Sequence, residues 1–438
     1  MIADWRFGPR PLWLGKMSSH PTLREALRFW LKLGFISFGG PAGQIAVMHR
    51  ELVERKRWID EPRFLHALNF CMLLPGPEAT QLATYCGWLL HGVRGGLIAG
   101  VLFVVPGVLT LGLLSWIYVR YGTVPEVAAI FHGLKAAVLA IVVAAVWRVG
   151  RRALTGSVAW VLAAAAFVAL FFLKLSFPVV VFGALLLGFW GGRWRPGIFG
   201  GGTAPLADTG RGAAVPARRT LKLAGMGIAV WFAPVLLAGV GQGWDSTLTQ
   251  IGWFFSKAAV VTFGGAYAVL PYVGQQAVEH YHWISAGQML DGLAFAETTP
   301  GPLILVLQFV GFLAGWQHAG GLAPWLSAML GAGLTVWVTF VPTYLFILIG
   351  APYVERVRGD VRLSAALAAV TAAVVGVILN LAVWFALQVI FPAQAPVDWF
   401  AFAVGVAAFV ALERFKWEIV PVVLASGALG WGWMLLTT

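Results

Sequence analysis

The chain has 438 residues, of which 60% are hydrophobic and 11% charged, with a mean hydropathy of +0.82 and a net charge of +12. So little charge over that length excludes a soluble globule and indicates a polytopic membrane protein. The basic excess fits cytoplasmic loops, which collect Lys and Arg, better than it fits nucleic acid.

Residues 1–23 are charged, with no clean apolar core or small-residue cleavage site, and read as a cytoplasmic N-terminal segment and not a removable signal. Residues 24–55 are apolar but interrupted at Phe38-Gly39-Gly40-Pro41, and residues 62–92 are interrupted at Pro75-Gly76-Pro77, followed at once by Glu78. Both flanks of the first segment are basic, so a single crossing would leave one of them outside. Each segment is therefore expected to dip in, turn at its break and return. Simple spans follow near 95–119, 123–147, 153–173 and 176–192. A Gly/Pro/Arg-rich stretch at 191–220 reads as a cytoplasmic linker closing a first unit, 24–190. The second unit, 221–438, opens with a span near 221–240. Two more hairpins at 249–279 and 284–316 precede spans near 322–350, 363–391, 397–412 and 418–436.

The units repeat one another. Residues 32–77 align with 257–302 without a gap, at an offset of 225: Lys32 meets Lys257, Phe38-Gly39-Gly40 meets Phe263-Gly264-Gly265, Trp58-Ile59 meets Trp283-Ile284, and Pro75-Gly76-Pro77 meets Pro300-Gly301-Pro302. Beyond an insertion the match resumes at an offset of 236, where Pro106 meets Pro342. The loop at 49–63 carries Arg50, Arg55, Lys56, Arg57 and Arg63, whereas its counterpart at 274–288 carries no Lys or Arg. The positive-inside rule then places the two loops on opposite sides. The expected fold is an all-α polytopic membrane protein of two inverted-topology repeats, each with two broken, re-entrant helical hairpins followed by transmembrane helices. That plan recurs among secondary transporters, which bind substrate near the midplane. On this drawing only Arg120 and Lys174 flank the outer face, and Lys32, Lys135 and Lys257 lie in the membrane.

Broken helices survive at membrane depth only inside protein or around a polar cavity. Each break starts a helix with free N–H groups and a positive dipole end, which suits an anion. Lys32 and Lys257, six residues before each FGG, are either snorkelling residues or counter-charges; a membrane-centre Lys costs about 2.5–3.5 kcal/mol on insertion scales. Lys135 has no partner at the repeat position, where Thr371 stands. Glu78 and Glu297 are candidate proton carriers, with helix capping as the plainer role for Glu78. Gln81, Tyr85, Thr298, Thr299 and Gln308 add neutral hydrogen-bonding groups. No Walker A loop or metal-ligand spacing is present, and Cys71 and Cys86 lie in apolar stretches, so no cofactor is expected.

The strings "FGGPAGQIAVMHRELVERKRWID" and "LLPGPEATQLATYCGWLLHGVRGGLIAGVLFVVPG", with "TFGGAYAVLPYV" and "AETTPGPLILVLQFVGF" in the second unit, resemble the chromate transporter family. The resemblance implies a long-chain, two-domain member that exports chromate across the bacterial inner membrane, driven by the electrochemical gradient. It carries signature roles to Phe38, Gly39, Gly40, Pro75, Gly76, Pro77, Glu78, Gln81, Tyr85 and Gly87, and to Phe263, Gly264, Gly265, Pro300, Gly301 and Pro302. After the second PGP, "EATQLATY" becomes "LILVLQFV", so the two units differ there. Sulfate or another oxyanion is the alternative cargo, and a membrane-embedded enzyme the alternative class. Expected partners are the anion and the lipid bilayer, with a homodimer as the assembly expectation. Single cysteines at Arg57 and His282 are expected to label from opposite sides of the membrane with an impermeant maleimide; same-side labelling removes the inversion.

Overall fold

The computed structural model describes residues 21–194, 217–351, 361–392 and 396–437; all regular elements among them are helical. Most of the N-terminal segment and of the 191–220 linker lies outside the described residues.

In the first unit, α1 (Leu23–Ile36) is followed by α2 (Gly40–His49), which widens into a π turn at Arg50–Arg55. Then come α3 (Glu61–Cys71), α4 (Glu78–Tyr121), α5 (Pro125–Ala153), α6 (Ser157–Phe171) and α7 (Phe177–Trp194). After α8 (Ala217–Gln242), the second unit holds α9 (Thr247–Val261), α10 (Ala266–Gln275) with its own π turn at Gln276–His280, and α11 (Ala286–Thr298). A 3-10 turn at Leu303–Leu305 leads into α12 (Val306–Gln317), followed by α13 (Pro324–Gly350), α14 (Val361–Val389), α15 (Trp399–Glu413) and α16 (Ile419–Thr437). The protein is an all-α polytopic membrane protein, with six helices long and apolar enough to cross a bilayer among the described residues.

The 44 residues of α4 are not one rod. His91 (φ −137°, ψ 24°) and Gly92 (φ 64°, ψ −154°) leave helical geometry. A Cβ on Gly95 would run into the Gly87 carbonyl, although residues eight apart in a straight helix stand about 12 Å apart. The chain therefore folds back, and α4 divides into α4a (78–90) and α4b (93–121).

The chain also reverses at each of the four breaks. Ring centroids of Phe29 and Trp58 are 5.1 Å apart, and those of Phe254 and Trp283, one offset later, 5.7 Å. A continuous helix would hold either pair roughly 40 Å apart. The second hairpins close in the same way, Phe70 on Tyr85 at 5.6 Å and Phe295 on Phe309 at 5.8 Å.

Irregular backbone recurs at the sequence offset too. Arg57 and His282 both take positive φ, 50° and 53°. The next residue's amide closes each π turn: Trp58 N–H donates to Leu52 O at 2.9 Å and Trp283 N–H to Ala277 O at 2.8 Å. Late in each unit, Lys174 and Lys416 share φ near 53° and 55°. These torsions are costly for non-glycine residues and do not arise from hydrophobic pattern alone.

Each unit's long helix packs on the other unit's last helices. α5 lies against α15 and α16, and α14 against α6 and α7. Glycines permit the approach: a Cβ on Gly133 would overlap the Ser426 carbonyl of α16, and one on Gly376 the Ala163 carbonyl of α6. Small residues at helix crossings are how membrane helices gain contact without a hydrophobic driving force. One core cluster consequently runs through both units.

Gly301 has φ 101°, and a Cβ there would sit 3.1 Å from the Gly107 Cα. Gly301→Ala is expected to cost about 1–3 kcal/mol, read as a lower unfolding temperature in detergent, while Gly156→Ala, with open space around it, leaves that temperature unchanged.

Candidate functional site: the interlocked helix breaks

The PGP break of each unit is bonded to the FGG turn of the other. Gly76 N–H donates to Thr262 O at 2.7 Å, and Gly301 N–H donates to Ser37 O at 2.9 Å. The two bonds are images of one another at the 225 offset. Ser37 and Thr262, each directly before FGG, end their helices in matching non-helical torsions and send their hydroxyls back one turn, to Leu33 O and Ala258 O, both at 2.6 Å. Glycine is needed at Gly39, Gly40, Gly264 and Gly265, whose φ values run from 70° to 87°. Gln44 Nε2 donates to Gly301 O at 2.5 Å, and Gln81 Nε2 to Pro75 O at 2.8 Å.

Helix starts differ sharply across each hairpin. The outer arms are capped by side chains: Thr22 with Glu25 on α1, Asp60 on α3, Ser246 on α9, and Ser285 with Gln288 on α11. The inner arms begin at Gly39, Pro77, Gly265 and Pro302, and none has a side-chain cap. Four helix starts without side-chain caps, the fourth through the 3-10 turn that leads into α12, are thus brought to one crossing.

Glu78, in the first turn of α4a, lies against the second FGG: its Oε1 is 3.5 Å from where a Gly265 Cβ would stand. Tyr267, in the first turn of α10, has its hydroxyl 3.9 Å from the corresponding position on Gly40, and donates to Glu297 Oε1 at 2.5 Å. Glu297 is 1% exposed, and its Oε2 has no hydrogen-bond partner. The same is true of Oε1 of Gln44, Gln81 and Gln308 and of Oγ1 of Thr80. Gly39, Gly40, Glu78, Phe263 and Tyr267 keep partial exposure and Phe38 and Gly264 are exposed, whereas 299–310 are wholly buried. The crossing therefore opens beside Glu78 and both FGG turns, and closes around the second PGP.

The remaining expected site residues divide. Tyr85 is buried between the Phe70 and Trp88 rings, Thr298 bonds back to Ala294 O at 2.9 Å, and Thr299 is buried beside Pro300. Lys32 and Lys257 are exposed on the outer faces of α1 and α9, so the structure does not bring these two ammonium groups to the breaks.

The chromate transporter family's sequence model matches residues 24–189 and 249–431, taking in both breaks of both units. The chain belongs to the chromate transporter family. It is 35% identical over 415 residues to the chromate transport protein of Pseudomonas aeruginosa, covering 92% of this chain and 90% of that protein. It is 30% identical to the chromate transport protein of Cupriavidus metallidurans, covering 93% and 92%, and 28% identical to a probable chromate transport protein of Synechococcus elongatus, covering 82% and 84%. No solved structure matches it.

In this family member one polar cluster escaped the sequence reading. Lys135 of α5 does have a partner: its Nζ is 3.5 Å from Oδ1 of Asp291 on α11, and Asp291 Oδ2 accepts from the Tyr118 hydroxyl at 2.8 Å. The rings of Tyr118, Phe131, Phe295 and Phe309 close around it edge to face. The repeat comparison pointed away from this pair, because His66 and Thr371 occupy the equivalent positions. Asp291, an acid in the apolar arm "MLDGLAFAE" opposite in sign to the intramembrane Lys135, was the available signal. Removing one partner of a buried pair costs about 3–5 kcal/mol. Lys135→Met is accordingly expected to lower thermal stability strongly, and Lys135→Met with Asp291→Asn to recover most of the loss; additive losses in the pair would remove the coupling.

Proposed function

We propose that this protein is a secondary transporter that exports chromate across the bacterial inner membrane, holding the oxyanion on backbone amides of the uncapped helix starts. The observation that carries this is the capping contrast: outer arms spend a side chain on their first amides, and the four inner arms that meet at the crossing do not. A tetrahedral dianion suits several converging N–H groups, which are fixed dipoles needing no reorganisation. The relatives named as chromate transport proteins supply the cargo class, and export follows from the family resemblance. Sulfate has the same shape and charge and stands as the competing cargo.

The inverted arrangement has a simple topological support. Four spans, α4b to α7, follow the first pair of hairpins, so a unit that starts inside ends inside. The single extra helix α8 then carries the chain across, and the second pair of hairpins begins outside. The charge contrast between the loops at 49–63 and 274–288 agrees with that drawing.

Glu297 and Glu78 are the proton-coupling residues of this reading. The Glu297 carboxyl has one oxygen held by Tyr267 and the other free, and Glu78 stands at the second FGG turn, where a carboxylate would compete with the anion for the same amides. Protonation of either removes a negative charge from beside the cargo.

Inside-out vesicles containing the protein are expected to accumulate chromate in a gradient-dependent manner, with sulfate competing. Glu297→Gln is expected to lower that flux at least tenfold and flatten its pH dependence while leaving chromate binding to the purified protein intact. Failure of both anions to move would end the transporter reading, and selective movement of sulfate would reassign the cargo.

A further inference from the structure

In the second unit, α8 covers a face made by α9 and α13. Trp231 Nε1 of α8 donates to Ser256 Oγ at 3.2 Å, and Trp337 Nε1 of α13 donates to Val230 O at 2.9 Å. Val235 of α8 fills the space before Gly252, and Leu345 of α13 lies against Gly227. The repeat offsets carry Gly252, Ser256, Trp337 and Leu345 onto Leu27, Leu31, Val101 and Leu109. Those four are 38%, 41%, 42% and 66% exposed. The first unit has no helix in the place of α8 among the described residues.

The bare face is not a copy of the covered one. Gly252 and Ser256 are small and let a helix approach, whereas Leu27 and Leu31 hold a helix off and offer flexible apolar surface instead. Its edge differs too. Thr249, Trp253 and Lys257 in the second unit become Arg24, Arg28 and Lys32 in the first, an i, i+4, i+8 stripe, all three exposed. None has an ion-pair partner among the described residues. His91 Nε2 donates to Pro21 O at 2.9 Å, which sets the start of α1 beside the start of α4b, where Arg94 is also exposed. The cations thus descend about 12 Å from the end of the face that the topology proposed above, on which this inference rests, places at the cytoplasmic side, the depth at which Lys and Arg reach headgroups along apolar stems.

We propose that this α1–α4b face binds an anionic phospholipid of the cytoplasmic leaflet, its acyl chains on Leu27, Leu31, Phe35 and Val101 and its phosphate on Arg24, Arg28 and Lys32. Juxtamembrane cations each contribute to holding anionic lipid. A second copy of this chain docking through the same face would oppose like charges. Lys32 then serves lipid and not cargo, which is consistent with its outward side chain, and the inference does not depend on which anion is transported.

The test is native mass spectrometry of the full-length protein in mild detergent with equimolar phosphatidylglycerol and phosphatidylcholine. The wild type is expected to retain phosphatidylglycerol at least fivefold over phosphatidylcholine, and R24Q/R28Q/K32Q to lose that preference. Lys257→Gln, at the equivalent position in the unit that α8 covers, is expected to keep it. Equal retention of the two lipids by the wild type, or an undiminished preference in the triple variant, overturns the proposal. So does displacement of phosphatidylglycerol by excess inorganic phosphate, or a dimer mass that the triple variant reduces to monomer. Where the triple variant does not elute as a single species, the three single variants are read instead, each with about a twofold loss expected, and no loss in any of them overturns the proposal equally.

Discussion

Two hydrogen bonds hold the arrangement together: Gly76 N–H to Thr262 O, and Gly301 N–H to Ser37 O. A helix interrupted in hydrocarbon frees backbone groups that lipid cannot satisfy. Here the central glycine N–H of each break finds its acceptor in the other unit. The same dependence runs through the packing, since α5 rests on the second unit's α15 and α16 and α14 on the first unit's α6 and α7. Neither unit, taken alone, keeps its breaks satisfied or its long helix covered.

Around this paired backbone the side chains are not paired. Glu78 corresponds to Leu303, Tyr267 to Ala42, Glu297 to Met72, and the Lys135–Asp291 pair to Thr371 and His66. Backbone torsions survive duplication because a turn at positive φ accepts little besides glycine. Polar groups inside a membrane protein are costly and are retained where they act. The result is a symmetric frame with one open and one closed side: Glu78 and both FGG turns keep exposure, and the second PGP is buried against Gly107 and Leu305. In the proposed transporter, such a difference between equivalent hairpins gives the cargo a side to reach and a side to leave by.

The break in equivalence extends to the outside of the molecule. α8 supplies the odd crossing that the proposed inversion needs, and among the described residues it shields only the second unit. In the proposed arrangement the first unit meets the bilayer through α1 and α4b, whose large aliphatics edged with cations suit a surface facing lipid.

Much of this was legible in sequence. Composition fixed the membrane class, and the FGG and PGP strings at one offset located all four breaks. The hairpin limits of 24–55 and 62–92 agree with α1 through α4a, and the gap foreseen between 92 and 95 is where α4 folds back. These features are local: a breaker, a cap or an apolar run acts on its own neighbours, so a linear reading recovers them. Tertiary structure alone decided the rest. The donors and acceptors that close the breaks stand 186 and 264 residues apart, Lys135 meets Asp291 across 156, and Lys32 and Lys257 face outward because of which side of α1 and α9 their neighbours cover. Spacing along a chain names the residues near a break; only the packing of one unit on the other determines which of them turn toward it.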